Sequence, residues 1–502
     1  MSLRPFLTHL ERHPDAAKLA EPDARAFVSH ALRPYLIAAL ADRDARRPTV
    51  VVAGDDRAAR DLAADLRAWL HPRAVRFYPS RGVAYESHLT PPAHLVGLRV
   101  AALDALRDVA EGERDGGASR LAGETRSPGA EAPVIVVSAV ALSEKVPDPA
   151  LRPHGFRLAV GELLDLDEAA GDLVAAGYER VDQVEDRGQF AVRGGLLDVY
   201  PATEERAIRV DLFDDEIESL RWFSTFTQRS LGDTDVVEIS PAAELAPEHR
   251  ELAEIAALEN ADDRPDVAEL LPVDDFRDLL DLLPQEAEVV LAAEEDVEPA
   301  LRDHWDDVCA AFHDIDAHHL YVHPDGIVAQ LDARRPLRLS SISGTQPLEF
   351  RAQAAEFAAR SLREAEPELE KLVRSGYTTL VNWPNRGGGE RAAYNLARVK
   401  ARWEYPFPPP TPNGPGLVFQ EARLRDGFVA PCLKLAAVPE HRLIHRRKAS
   451  TRPARKGRGL LRSFTDLRTG DFIVHEDHGV ARFAGFDTKT VGGITRDYLN
   501  LE

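Results

Sequence analysis

The sequence predicts a multidomain α/β protein, and three observations carry that reading. The chain has 502 residues, enough for about three to five domains of ~100–200 residues. An apolar run, Thr49-Val-Val-Val-Ala-Gly54, leads directly into an amphipathic stretch, the strand-then-helix alternation of a parallel α/β layer. Between positions 190 and 223 that pattern gives way to short alternating segments punctuated by glycine and aspartate pairs, the signature of β-hairpins. Apolar residues at 44% with 29% charged exclude a chain disordered throughout.

From the N-terminus, Thr49–Gly54 reads as a buried strand. Asp55-Asp56 caps a helix whose Ala58, Leu62, Leu66, Trp69 and Leu70 recur at helical spacing. Arg76–Pro79 is a second strand, Leu95–Leu106 a helix, and Val134–Val137 a return to the sheet. Residues 111–132 are rich in Gly, Glu, Arg and Ser and read as an insertion. Residues 1–147 form the first expected domain. The second, 148–237, opens with a helix over Leu163–Ala176 and continues with strands Phe190–Val192, Leu196–Tyr200, Arg206–Leu212 and Ile217–Phe223. Residues 238–335 return to acidic helices and strands. Residues 336–441 are a further α/β unit, with helix Phe350–Ser375, strand Thr378–Val381 and helix Glu390–Trp403. The tract Pro406–Pro412 must be extended. A linker, 442–463, precedes a small β domain at 464–502, with strands expected at Asp471–Val474, Val480–Phe486 and Tyr498–Leu501.

Charge is sharply segregated. The formal total is −22, yet Arg442–Arg462 holds nine Lys or Arg and no acid. Removing that +9 and the −3 of residues 463–502 leaves −28 on residues 1–441. Such acidity disfavours a protein whose whole surface coats nucleic acid, but not one local basic patch. The basic stretch lacks aromatics and reads either as a solvated linker or as a phosphate contact. Two cysteines, Cys309 and Cys432, are too few for a disulfide framework and are expected to be structural; a reducing, cytoplasmic setting fits. No stretch approaches the ~20 apolar residues of a membrane span.

No Gly-Lys-Ser or Gly-Lys-Thr occurs anywhere, so no Walker A loop is present to cradle a triphosphate. Where a helicase-like domain would place it, the chain reads Phe27-Val-Ser-His-Ala-Leu-Arg-Pro-Tyr-Leu36. Val210-Asp-Leu-Phe-Asp-Asp-Glu216 imitates an acidic Mg²⁺ site but reads better as a hairpin turn at Asp214-Asp215. Gly387-Gly388-Gly389 is either an anion site at a helix N-terminus or a flexible connection. His304, Cys309, His313, His318, His319 and His323, with Asp314 and Asp316, are zinc-capable types without zinc-site spacing. The same holds for His475-Glu476-Asp477-His478. Arg180, Arg187, Arg193 and Arg209 suit a protein interface, since guanidinium forks make bidentate charge-assisted bonds. Solvated surface arginine is the plain alternative.

Four blocks resemble a known family: Tyr178–Val184, Gly188-Gln-Phe-Ala-Val-Arg-Gly-Gly-Leu-Leu-Asp-Val-Tyr-Pro201, Phe213–Arg221 and Thr227–Leu231. They are similar to the UvrB-like module of the bacterial transcription-repair coupling factor (Mfd) family. UvrB shares this pattern; the choice between them rests on Gly470–Gly485 and Val491–Leu499, which resemble the start of that family's RNA-polymerase-interacting, CarD-like domain. Phe77–Ser80 and Tyr85–Ser87 also fit its first domain.

The resemblance implies a degenerate helicase-like α/β lobe, domains 1a (1–147) and 1b (238–335), without nucleotide chemistry. It implies an inserted β-rich α+β domain 2 that recruits UvrA through Arg180 and Arg193. Domain 3 has no assigned chemistry. The C-terminal domain would bind the RNA polymerase β subunit through a hairpin whose tip lies near Thr488-Lys489-Thr490. In the family an ATP- and Mg-dependent DNA translocase motor follows, so the chain is expected to be an N-terminal fragment. No catalytic residue, metal or cofactor is then expected within it, and DNA would be engaged through the motor. Rival readings are an autonomous DNA-stimulated ATPase and a metal-binding protein built on the 304–323 histidines.

Overall fold

The computed structural model describes residues 3–85, 91–114, 131–225, 227–256, 267–311, 317–344, 346–403, 414–444, 472–475, 479–491 and 494–501. The chain divides into two compact units, one of residues 1–254 and 266–445, the other of residues 255–265 and 446–502.

The first unit is built on a seven-stranded, all-parallel sheet. Its strand order is Leu348–Phe350, Arg25–Val28, Leu337–Ser340, Glu288–Leu291, Thr49–Ala53, Val134–Ser138, Val75–Tyr78. Thr49–Ala53 and Val134–Ser138 are buried at every position because helices cover both faces. On one face, Val28, Val51, Phe77 and Val136 pack with Tyr35, Leu66 and Trp69 of helices Arg33–Arg43 and Asp56–Leu70. On the other, Val50, Val52, Ile135 and Val137 pack with Leu103, Leu106, Leu301 and Leu331. The Asp55 carboxylate accepts the Ala58 N–H and caps its helix as the sequence predicts.

Two strands return to this sheet from far along the chain. Leu337–Ser340 and Leu348–Phe350, which the sequence reading places beyond the 336 boundary, pair on either side of Arg25–Val28. Position 336 therefore falls inside the first sheet. The helix expected over Phe350–Ser375 is shorter. Phe350 ends a strand, and the helix runs from Leu362 to Arg374, capped by Ser361. The helix expected at Glu390–Trp403 is displaced to Arg386–Tyr394, and Ala401–Trp403 is a strand.

Residues 353–443 carry a six-stranded mixed sheet, ordered Gln353–Ala354, Phe428–Ala430, Leu435–Pro439, Thr378–Trp383, Gly416–Glu421, Ala401–Trp403. Leu380, Val418, Leu424, Phe428 and Leu435 join the same core as Tyr35 and Trp69, so the two sheets share one hydrophobic interior.

The β-rich region is a six-stranded sheet ordered Ser230–Thr234, Glu216–Phe223, Ala207–Phe213, Leu196–Val199, Gln189–Arg193, Glu179–Arg180. Asp214-Asp215 forms the hairpin turn, with Asp214 at φ 52°. Helix Leu166–Ala175, starting three residues later than expected and capped by Asp165, covers one face. Strand Val236–Ile239 pairs with Phe156–Ala159, so the region continues past position 237.

In the second unit, Phe472–His475, Gly479–Val491 and Ile494–Leu501 form a three-stranded antiparallel sheet. Of the insertion expected at 111–132, residues 111–114 continue helix Ala93–Arg114, and of the linker expected at 442–463, Arg442 and Leu443 end helix Glu440–Leu443, with Leu443 buried in the core. Residues 115–130 and 445–463, the proline tract 406–412, Glu86-Ser87, His313, Asp314, Asp316 and Glu476–His478 lie outside the described residues. Among the described residues no helix is long and apolar enough to cross a membrane.

Candidate protein-recruitment site

The β-rich sheet has two unlike faces because side chains alternate along each strand. Phe190, Leu197, Val199, Ile208 and Val210 point to the face that Ala169, Ala170 and Leu173 of the covering helix seal. Register places Arg193, Asp198, Arg209, Asp211 and Arg221 on the other face.

That second face carries two ion-pair networks. Asp198 is only 1% exposed and holds two arginines. Arg209 reaches it as a fork, Nε to Oδ1 at 2.6 Å and Nη2 to Oδ2 at 2.7 Å. Arg193 Nη2 donates to Oδ2 at 2.6 Å while the side chain stays 45% exposed. The bonds from Asp198 raise the Arg209 pKa above its ordinary value, and the guanidinium lies 4.5 Å from the Phe223 ring centroid. Alongside, Arg221 pairs with Asp211, which also accepts from Ser219. A buried carboxylate with several charge-assisted bonds fixes the rotamers of the guanidiniums it holds. Arg193 is thus a partly exposed cation held in place, just before the Gly194-Gly195 turn.

Arg180 is exposed, in the edge strand Glu179–Arg180, opposite Phe190 in parallel register. Arg193 lies three positions further along the neighbouring strand, about 10 Å away, and the odd separation puts the two arginines on opposite faces. The structure brings them into one sheet but not onto one surface. Arg180 is positioned by Gly177-Tyr178. Gly177 has φ +93°, and a Cβ there would meet Ala243 at 2.5 Å, so only glycine fits. The buried Tyr178 hydroxyl donates to the Ser240 carbonyl at 2.7 Å and accepts the Ala202 N–H at 3.2 Å.

The other candidates resolve differently. Gly387–Gly389 lie within the first turn of helix Arg386–Tyr394, where Asn385 already accepts the Gly388 N–H; they are not a loose connection. His318 and His323 flank Trp305, with ring centroids at 4.9 and 5.0 Å, and His304 packs edge-on against Tyr321. Among the described residues no three His, Cys, Asp or Glu are grouped to hold a metal. Cys309 and Cys432 are free and exposed rather than structural. At the position of a phosphate loop, strand Arg25–Val28 runs through a 3-10 turn, His30–Leu32, into helix Arg33–Arg43. Arg33 donates to Ser341 Oγ at 2.6 Å, and Glu295 accepts the Ser341 N–H at 2.7 Å. Thr488, Lys489 and Thr490 pair in the backbone ladder with Asp497, Arg496 and Thr495, close to the hairpin's end at Val491–Ile494.

Sequence reasoning missed two groups. Asp198 carries no local motif, and its role arises only when three strands align. Arg99 is fully buried in helix Ala93–Arg114 and binds Glu144 at 2.6 Å and Glu244 at 2.5 Å. It ties the parallel sheet to the chain leaving the β-rich module.

The region that carries this sheet, sealed on one side and presenting fastened arginines on the other, matches the family model of the UvrB interaction domain over residues 156–245. Residues 467–502 match the CarD-like/TRCF RID domain. Over 95% of its length the chain is 25% identical to the transcription-repair-coupling factor of Bacillus subtilis (strain 168), covering 43% of that protein. The transcription-repair-coupling factor of Mycobacterium tuberculosis (strain CDC 1551 / Oshkosh) is 28% identical over 96% of this chain and 42% of its own. That of Escherichia coli (strain K12) is 24% identical over 93% and 42%. The chain is therefore similar, nearly end to end, to the N-terminal part of transcription-repair-coupling factors, and spans about two fifths of the length of these relatives.

Proposed function

We propose that this chain is the recruitment part of a transcription-repair coupling factor. Its UvrB-like module binds UvrA, and its CarD-like module docks on the RNA polymerase β subunit, so that excision repair is brought to a stalled polymerase. ATP-driven movement on DNA belongs to a motor outside this chain, and this chain needs no cofactor of its own. The observation that carries the reading is the half-exposed Arg193 fastened to buried Asp198 inside the matched domain. Partly desolvated arginines held in one rotamer are the side chains that dominate protein interfaces. The turn at His30–Leu32, with Arg33 bonded to Ser341, supports a lobe without nucleotide chemistry.

Arg193→Ala is expected to weaken UvrA binding by roughly tenfold or more, measured by calorimetry. Asp198→Asn, which touches no partner but loosens Arg193, is expected to weaken it less while Arg180→Ala adds an independent loss. UvrA affinity unchanged in both Arg180→Ala and Arg193→Ala proteins would sink the assignment. For the second contact, Lys489→Glu is expected to reduce capture of the polymerase β subunit without altering UvrA binding. Undiminished capture would remove the hairpin from the interface.

A further inference from the structure

Helix Asp56–Leu70 turns a basic stripe outward on a chain whose net charge is −22. Its inner side, with Ala59, Leu62, Ala63, Leu66 and Leu70, packs into the core. Arg57, Arg60, Ala64, Arg67 and His71 recur at spacings of three and four residues, so they share the opposite face. Arg57, Arg60, Arg67 and His71 are exposed. The stripe is about 21 Å long at 1.5 Å per residue. Beside it a groove of about 300 Å³ opens between the helix and the 422–423 corner, lined by Ala64, Arg67, Ala68, His71, Ala422 and Arg423. Arg67 and Arg423 therefore meet in one cleft, and three alanines keep that cleft open.

The acids of the same helix are engaged elsewhere. Asp55 caps the Ala58 N–H, and Asp56 accepts from Ser80 and from the Ser138 hydroxyl. Asp61 binds Arg425 at 2.7 Å and lies 3.7 Å from Arg60 Nε. Buried Asp65 accepts the Arg425 N–H. Arg57, Arg67 and Arg423 form no ion pair among the described residues, and Glu205 acts on Arg67 only from a distance. Arg67 Nε donates to the Val75 carbonyl at 3.0 Å, which holds the guanidinium and leaves its two Nη groups for a ligand. At physiological salt the screening length is about 8 Å, so the acidity of the rest of the chain is largely screened from a stripe of this length.

We propose that this face binds the phosphate backbone of a nucleic-acid duplex, with Arg57, Arg60, Arg67 and Arg423 each neutralising a phosphate. A straight row of cations on a rigid helix fits the regular backbone of a duplex, which offers one negative charge per about 1.7 Å of axis. The small Ala64, Ala68 and Ala422 let that backbone come close. The face has no aromatic ring, since Trp69, the one ring of the helix, is buried. Unstacked bases would find no platform on it, which disfavours a single strand. Contacts to phosphate alone carry no sequence information, so binding is indifferent to sequence. The face lies outside both matched domains.

The test is fluorescence anisotropy of the full chain with a labelled DNA duplex and with oligothymidylate of equal length, between 50 and 200 mM salt. The duplex is expected to bind, and more weakly as salt rises. Changing Arg57, Arg60, Arg67 and Arg423 together to Gln is expected to make the log–log salt slope shallower by about 3.6, since each lost phosphate contact removes about 0.9. The Arg67→Gln, Arg423→Gln protein is expected to lose about 1.8. Glutamine is as good a helix former as arginine, and unchanged circular dichroism and thermal midpoint establish an intact fold. Absence of duplex binding overturns the proposal. So does a wild-type slope in the four-Gln protein, which would move the contact to the basic stretch 442–462. Tighter binding of oligothymidylate than of the duplex overturns it as well. Polyglutamate that displaces the duplex as effectively as unlabelled duplex of equal charge would make the face an acidic-peptide site and overturn it too.

Discussion

Arg99→Met is expected to destabilise the first unit by about 3–5 kcal/mol, the usual loss when a buried ion pair is broken on one side. The guanidinium is completely buried and serves two carboxylates, Glu144 and Glu244, that are themselves 5% and 8% exposed. It also donates to the Pro79 carbonyl at 3.0 Å and lies 4.6 Å from the Tyr78 ring centroid. Methionine fills much of the volume but satisfies neither carboxylate. The two acids are not equivalent. Burial pushes the Glu144 carboxyl up to about 7, despite Arg99 and Arg81. Burial also raises Glu244, but there Arg99 and Arg81 outweigh it and leave the carboxyl below its usual range. Glu144 can therefore neutralise itself by taking a proton, and Glu244 carries the obligatory negative charge. Adding Glu244→Gln to Arg99→Met should recover more stability than adding Glu144→Gln. Denaturant unfolding of six proteins, the wild type, the three single variants and the two double variants, measures this as two double-mutant cycles that share Arg99→Met. If Arg99→Met unfolds at the wild-type denaturant midpoint, the cluster is not a structural tie. If Glu144→Gln rescues better, the charge assignment is reversed.

The same cluster marks what a linear reading could and could not find. Thr49–Ala53, the Asp55 cap and the Asp214-Asp215 hairpin were legible because local periodicity, a capping carboxylate and a turn pair decide them. Arg180 and Arg193 were legible as residues in a motif, but not their opposite faces, which depend on register between strands. Helix Phe350–Ser375 was read too long although Ser361-Leu-Arg-Glu364 is a capping box, with the Glu364 N–H on Ser361 Oγ and the Arg360 N–H on the Glu364 carboxylate. That start signal is local and lies in the sequence. Helix Glu390–Trp403 failed for another reason. Amides 397–399 leave the helical ladder to bind Glu366, some thirty residues upstream, and no local propensity encodes that. The return of Leu337–Ser340 and Leu348–Phe350 to the first sheet is equally non-local. Buried polar partners such as Arg99–Glu244 and Arg193–Asp198 belong to the same class. Each half looks like an ordinary surface charge until the fold removes its water.

Asp65→Asn is expected to stabilise the protein at pH 8 and to leave it nearly unchanged near pH 4. Asp65 sits on helix Asp56–Leu70, 7% exposed, and accepts the Arg425 N–H at 2.9 Å. It borders a cavity of about 250 Å³ lined also by His30, Arg33, Asp61, Asp296, Arg425 and Asp426. The Arg425 guanidinium offsets the burial only in part, because it pairs with Asp61 at 2.7 Å. Asp426 is likewise engaged by Arg442 at 2.6 Å. Burial is the main cause that pushes the Asp65 carboxyl up to about 7, with Asp426 and Asp61 adding to it against the Arg425 amide and the Arg425 charge. The folded protein thus holds this proton more tightly than the unfolded chain, whose carboxyl titrates near 4. Stability from this group is complete below that value and is lost as pH rises toward 7, by up to about 1.4 kcal/mol per pH unit. Above pH 7 the loss is constant. Asparagine keeps an oxygen for the Arg425 N–H and never ionises, so the variant has no such slope. The advantage at pH 8 is about 2–4 kcal/mol. Other acids, such as Glu244 and Glu295, are held low and act in the opposite direction, so the total profile mixes both signs. Subtracting the variant's profile from the wild type's isolates Asp65. A difference that does not grow between pH 4 and 7 would mean that Asp65 is ionised in the folded protein, and that the seam between helix Asp56–Leu70 and the 424–426 corner admits water.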